Sequence, residues 1–132
     1  MRFLLDTDTC VFALRGHASV RERLAAVGPE QVALSVITLA ELHYGASCSA
    51  RPEANQQAID DFVSALAVLG VDAETARAFG DIKAQLRQAG QLIEDLDMLI
   101  AATARAYDLT LVTHNAAHFG RIPGLRLENW VA

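Results

Sequence analysis

Three carboxylates stand out by type and place: Asp6, Glu41 and Asp97. Asp6 closes the apolar run Phe3-Leu4-Leu5. Glu41 is expected in the first turn of a helix that follows a β-branched run, and Asp97 in the first turn of another helix. In an open parallel sheet, strand C-termini and the following helix N-termini share one edge, where ligands bind. Carboxylates brought together there repel, and one takes up a proton unless a cation compensates. Mg²⁺ and Mn²⁺ are the natural compensation, being hard cations that favour carboxylate oxygens and keep several waters. Such an ion activates a water and stabilises a phosphoryl group under attack. The acids therefore point to metal-assisted phosphate chemistry.

Each acid also has a purely structural explanation. Thr38-x-x-Glu41 matches a capping box. Asp97, with Glu94 and Asp95, fits the first-turn acids favoured by a helix dipole. Asp6 and Asp8 in Asp6-Thr7-Asp8-Thr9 fit turn formers that cap a short helix. These explanations account for the acids singly, but not for three of them falling on one edge.

Only a fold could gather residues so far apart, and the pattern predicts one. Phe3-Leu4-Leu5 reads as a first strand, followed by short helices over Cys10–Leu14 and about Ala18–Val27, the second ending at Gly28-Pro29. Val32–Ile37 suits a buried strand, after which Thr38 opens a helix to about Ala46. Pro52 fits the first turn of a helix carrying the stripe Ala58, Ile59, Phe62 and Leu66, which leads to a short strand near Val68–Val71. Asp72 reads as the N-cap of a helix ending at Gly90, and another helix runs from about Leu96 to Tyr107. Thr110–Thr113 makes a further strand, delivering His114 and Asn115 to the edge of the acids, and Leu125–Glu128 a last edge strand. Strands alternating with helices predict an α/β domain with a mainly parallel sheet of four to five strands.

Composition narrows the function classes. The 132 residues fit a single domain, and 52% hydrophobic content supplies a sizeable core. Eleven basic against sixteen acidic residues leave a formal charge of -5. That balance argues against bulk electrostatic binding of nucleic acid, though not against an enzyme acting on it at a local site. Uncharged runs such as Gln31–Ala40 and Phe62–Val71 are ten residues each, too short to span a bilayer. The start Met1-Arg2-Phe3-Leu4-Leu5-Asp6 does not read as a signal peptide. Cys10 and Cys48 have no CxxC-type partner, so neither a disulfide framework nor a zinc site is indicated, and a reducing, cytoplasmic setting is expected.

At these same residues the chain resembles a known family. Leu5-Asp6-Thr7-Asp8-Thr9-Cys10, Thr38-Leu39-Ala40-Glu41-Leu42-His43-Tyr44-Gly45-Ala46 and Asp97-Met98-Leu99-Ile100-Ala101-Ala102 resemble the three acidic motifs of PIN domains. The tail, Leu109 through His114-Asn115 and Phe119 to Pro123-Gly124-Leu125-Arg126-Leu127-Glu128-Asn129-Trp130, resembles VapC-type toxins in particular. The resemblance covers about Phe3 to Trp130, with the motifs in order. It implies a PIN-like three-layer α/β/α domain and a divalent-metal endoribonuclease, the toxin half of a toxin–antitoxin pair. A homodimer held inactive by a cognate VapB-type antitoxin is implied as well, with Mg²⁺ as cofactor and Mn²⁺ as substitute. By position, Asp6 and Asp97 would be the principal metal ligands, and Glu41 would contribute directly or through water. Many PIN domains place a fourth acid after the strand matching Thr110–Thr113. Here Asn115 and His118 stand in that region, so one ion at rest is expected. Asn115 would ligate by its carbonyl or orient a metal-bound water, and Asp8 would back the site or cap its helix.

Among the remaining polar residues, His43 is expected on a different helix face from Glu41, and Asp95 is expected to cap its helix. His17 and His114 are expected at the surface or in turns, and His118 on a partly exposed helix. Tyr44, Tyr107 and Trp130 are expected in packing, and Arg15, Arg87 and Arg121 on a solvated surface. Two other functions fit parts of the pattern. Asp6-x-Asp8 resembles the nucleophile loop of haloacid-dehalogenase-like phosphatases, which work through an aspartyl-phosphate and need a phosphate-binding lysine. The only lysine is Lys83, in the middle of a helix. A non-enzymatic interaction module whose acids merely cap helices is the other.

Overall fold

The computed structural model describes residues 1–131. Strand β1 (Phe3–Leu5) leads into helices α1 (Thr7–Leu14) and α2 (Ala18–Val27), then β2 (Val32–Ser35), α3 (Val36–Ser47) and α4 (Pro52–Val63). Strand β3 (Ala67–Leu69), helices α5 (Ala73–Gln88) and α6 (Asp95–Ala106), strand β4 (Thr110–Val112), helix α7 (Ala116–Phe119) and strand β5 (Leu127–Glu128) complete it. The strands order as β3-β2-β1-β4-β5, and every pairing is parallel. The expected mainly parallel sheet therefore has five strands, with helices on both faces.

The hydrophobic runs explain this layering. Strands buried on both faces carry apolar residues at successive positions instead of alternating ones. Leu4, Ala33 and Leu111 point to one face and pack with Ile82, Leu86, Met98 and Ala101 of α5 and α6. Phe3, Leu5, Val32, Leu34 and Val112 point to the other, against Cys10, Ala13, Val20, Leu42 and Ile59 of α1 to α4. Each fully buried Leu, Ile or Val contributes about 1.5–3 kcal/mol relative to an exposed one. Trp130 seals the second face. Its ring meets Phe3 edge-on at 5.3 Å, and its Nε1 donates to Glu128 at 2.9 Å.

The register sets up the functional edge. Leu5 of β1 aligns with Leu34 of β2 and with Val112 of β4. The three central strands therefore end within one residue of each other, and the chain leaves all of them along one edge.

Several boundaries differ from the expectation, each for a local reason. Helix α1 begins at Thr7 because Asp6, in extended backbone, caps it. Helix α3 begins at Val36, not Thr38, because the Ser35 hydroxyl accepts from the Ile37 amide at 3.0 Å. Glu41 consequently lies in the second turn of α3 instead of the first, and the Thr38–Glu41 capping box does not form. Glu94, not Asp95, occupies the N-cap position of α6. Asp95 is the first helical residue and pairs with Lys83 at 2.8 Å. Strand β3 sits one residue earlier than its expected start, and β5 is only two residues long. Tyr44 is 73% exposed and so is not a packing residue. Tyr107 is also exposed, and its hydroxyl donates to Asp72.

Candidate active site

These strand ends bring five of the expected site residues into one cleft. Asp6, Thr7, Asp8, Glu41, Asp97, Asn115 and Phe119 line a recess of about 210 Å³. It opens at the C-terminal edge of the sheet, where α1, α3, α6 and α7 begin.

Asp6 is the most constrained of the acids. It comes directly after β1, and its amide donates to the Val112 carbonyl of β4 at 3.0 Å. Its Oδ1 accepts from the Thr9 amide at 2.8 Å, the capping bond of α1. Only 4% of the residue is exposed. Burial pushes its carboxyl above the ordinary range, with the neighbouring Asp8 charge adding to the effect and hydrogen bonds from Thr113 and Thr9 opposing it. Thr9 is itself anchored, its hydroxyl donating to the Val112 carbonyl at 3.1 Å.

Glu41 reaches the cleft from the second turn of α3. Its Oε1 accepts from the Thr7 hydroxyl at 2.6 Å, and that hydroxyl also lies 3.3 Å from Thr38 Oγ1. The carboxylate is thus fixed across the cleft by the first residue of α1. Its partner is not its own helix terminus, which removes the structural explanation offered by a capping box.

Asp97 is the third residue of α6 and is half-buried. Burial raises its carboxyl, and the charges of Glu41, Asp6 and Asp8 raise it further, while His118 opposes them. That mutual repulsion records the proximity of the four acids. Asp8 is exposed in the first turn of α1 and faces the same recess; the cap of that helix is Asp6. Asn115 holds the N-cap position of α7 without a side-chain capping bond, and its amide donates to Thr113 Oγ1 at 2.9 Å.

The donor set suits a hard cation. Among the described residues no three acid, histidine or cysteine side chains are drawn together closely enough to enclose a metal ion by themselves. The recess is instead open and lined by carboxylate oxygens with one amide nearby. This is how Mg²⁺ is usually held, by one or two carboxylates while retaining water. Two carboxyls raised by burial and like charge are groups that a cation would return to the ionised form.

Spacing alone does not single out the hydroxyls that hold these acids. Thr7 holds Glu41, and Thr113 and Thr9 hold Asp6. Their signal is present as the threonines interleaved in Asp6-Thr7-Asp8-Thr9 and as the last residue of the expected fourth strand. The other polar residues lie elsewhere. His43 pairs with Gln56 on α4, His17 caps α2, and His114 stacks edge-on with Phe12 at 5.7 Å. Arg121 donates to the carbonyls of Gln91 and Leu92 at 3.4 and 3.3 Å.

A parallel five-stranded α/β/α sandwich with an acidic recess at its strand C-termini is the architecture of a PIN domain, and the PIN-domain family model matches residues 3–125. The chain is 41% identical to the tRNA(fMet)-specific endonuclease VapC of Shigella flexneri over 131 residues, 98% of each protein. It is likewise 41% identical to ribonuclease VapC2 of Rickettsia felis over 132 residues, again 98% of each. Among solved structures, the DNA-bound VapBC complex of Salmonella typhimurium contains a chain that superposes with a TM-score of 0.94 at 39% identity, over 98% of both chains. The chain belongs to the PIN-domain family and, within it, to the VapC ribonucleases.

Proposed function

We propose that the recess is the RNA-cleaving centre of a toxin ribonuclease. The observation that carries this reading is the convergence of Asp6, Glu41 and Asp97 on one open cleft in a VapC-family chain. We take residues 1–132 as one PIN-like domain acting in the cytoplasm; among the described residues no helix is long and apolar enough to cross a membrane. A VapB-type antitoxin is the expected partner, since relatives were solved as VapBC complexes, and a homodimer is the expected assembly.

Asp6 and Asp97 would hold a divalent cation, Mg²⁺ with Mn²⁺ as substitute, and Glu41 would contribute directly or through water. When bound, the cation supplies Lewis-acid polarisation of the scissile phosphate and lowers the pKa of an attacking water. The protein's own part is positioning. The Thr9 amide and the Val112 carbonyl fix Asp6 on the sheet edge. Thr7 fixes Glu41 opposite it. Asn115 lines the recess with an amide able to orient a water, and Asp8 adds negative charge to its lining. The three central acids draw the cation, and the cation draws the phosphate, in a chain otherwise charged -5.

The aspartyl-phosphate alternative is not favoured. Lys83, which it requires on the phosphate, is paired with Asp95 and does not line the recess. The decisive experiment compares the purified protein with Asp97→Asn on RNA in Mg²⁺ and in chelator. Cleavage that needs the metal and falls by at least about 10²-fold in the variant is the expected result. Undiminished cleavage by Asp97→Asn would overturn the assignment.

A further inference from the structure

His118 stands behind Asp97 in an arrangement that a surface histidine does not need. Its side chain is 39% exposed, yet its Nδ1 is shut off from solvent and has no hydrogen-bond partner among the described residues. An orphaned buried nitrogen costs about 1–3 kcal/mol of lost hydration unless something binds it. The nearest acid to that nitrogen is Asp97, with Oδ2 3.9 Å away. This is too long for a hydrogen bond.

The separation does fit two donors sharing one ion. Ligand atoms each about 2.1 Å from a metal stand roughly 3.0 Å apart at a right angle and roughly 4.2 Å apart when opposite. The 3.9 Å between Nδ1 and Oδ2 falls inside that span. The ring is carried on α7, which begins just after Asn115, itself a lining residue of the recess.

We infer that His118 Nδ1 is a nitrogen donor to the cation held at Asp97, and that it biases the site toward Mn²⁺ over Mg²⁺. The inference rests on the metal-site reading above and adds a ligand and a preference to it. Imidazole suits transition metals, whereas Mg²⁺ favours oxygen, so a mixed nitrogen–oxygen set shifts selectivity toward manganese.

Pulsed electron paramagnetic resonance of Mn²⁺ bound to the intact protein tests this without reference to catalysis. Nitrogen modulation from a ligating imidazole is expected, changing to the ¹⁵N pattern when histidine is supplied as ¹⁵N. Among the described residues, His118 is the histidine whose ring nitrogen lies within 4 Å of an acid of the recess, so the signal identifies His118. In His118→Gln the modulation should vanish. Mn²⁺ affinity should fall at least about tenfold, and Mg²⁺ affinity less than about threefold. Isotope labelling leaves the chain unaltered, so the result stands even if His118→Gln folds poorly. If Mn²⁺ binds, is lost in Asp97→Asn, and shows no histidine nitrogen, the inference about His118 fails while the acidic site survives. If Mn²⁺ does not bind, or survives Asp97→Asn, both fail.

Discussion

Replacing Asp6 by asparagine and by alanine should separate two duties that one side chain performs. As the N-cap of α1, Asp6 offers an oxygen to the Thr9 amide at 2.8 Å. As a member of the acidic recess, it is a buried charge facing Asp8 and Asp97. Asparagine keeps the acceptor and discards the charge, whereas alanine discards both. Loss of the cap costs about 1 kcal/mol. For a chain of 132 residues the unfolding entropy is roughly 0.28 kcal/mol/K, so that cost corresponds to about 4 °C in Tm. Measured by thermal unfolding in chelator at neutral pH, Asp6→Asn should melt above the parent and Asp6→Ala about 4 °C below Asp6→Asn.

The advantage of asparagine should depend on pH in a defined sense. The folded carboxyl has a raised pKa, so its ionisation costs stability as pH rises through that value, and acidification restores it. The gap between parent and Asp6→Asn should therefore close as pH falls toward 3.8. Adding Mg²⁺ at ten times its dissociation constant should raise the parent's Tm by about 5 °C and neither variant's. Equal losses in the two variants would refute the capping role. A metal-induced shift that persists in Asp6→Asn would refute the ligand role.

Other substitutions test the surrounding architecture. Ser35→Ala removes the cap of α3 and should cost about 1 kcal/mol by urea unfolding, while shifting Glu41 enough to weaken the Mg²⁺ response. Trp130→Ala empties a wholly buried site against Phe3 and should lower stability by about 3–5 kcal/mol, read from the denaturation midpoint. Tyr107→Phe breaks the bond to Asp72, whose carboxyl is held below 3.8 chiefly by that hydroxyl while the phenol is held above 10. The Asp72 contribution is present above pH 3.8 and lost as pH falls below it; the Tyr107 contribution is present below pH 10 and lost above it. The variant's melting profile should be flatter than the parent's at both extremes.

Much of this is legible in the residues because each layer has its own signal. The apolar runs of β1 and β2 announce strands buried on both faces, and Asp6 after Leu5 announces an edge. Glu41 and Asp97 are readable as edge acids because each comes after a strand or opens a helix. The less legible features are those decided by competition. Ser35 and Thr38 both offer a hydroxyl for the start of α3, and only packing decides that Ser35 takes it, leaving Thr38 inside the helix. Tyr44, an aromatic residue in a helix, reads as a packing residue, yet it faces outward. The buried Nδ1 of His118 is a matter of side-chain rotation, which residue spacing does not encode.

Two junctions at the acidic edge, those after β1 and β2, contain almost no chain to spare. Asp6 alone separates β1 from α1, and Ser35 is both the last residue of β2 and the cap of α3. A single residue inserted at either junction would turn the next helix by about 100°, swinging its site residue out of the recess. At the opposite end of the sheet, the 28–31 and 64–66 connections lead into β2 and β3 away from the acids. At these two junctions a change of length moves a site acid, whereas the longer 89–94 segment before α6 gives Asp97 a less direct tie to the sheet.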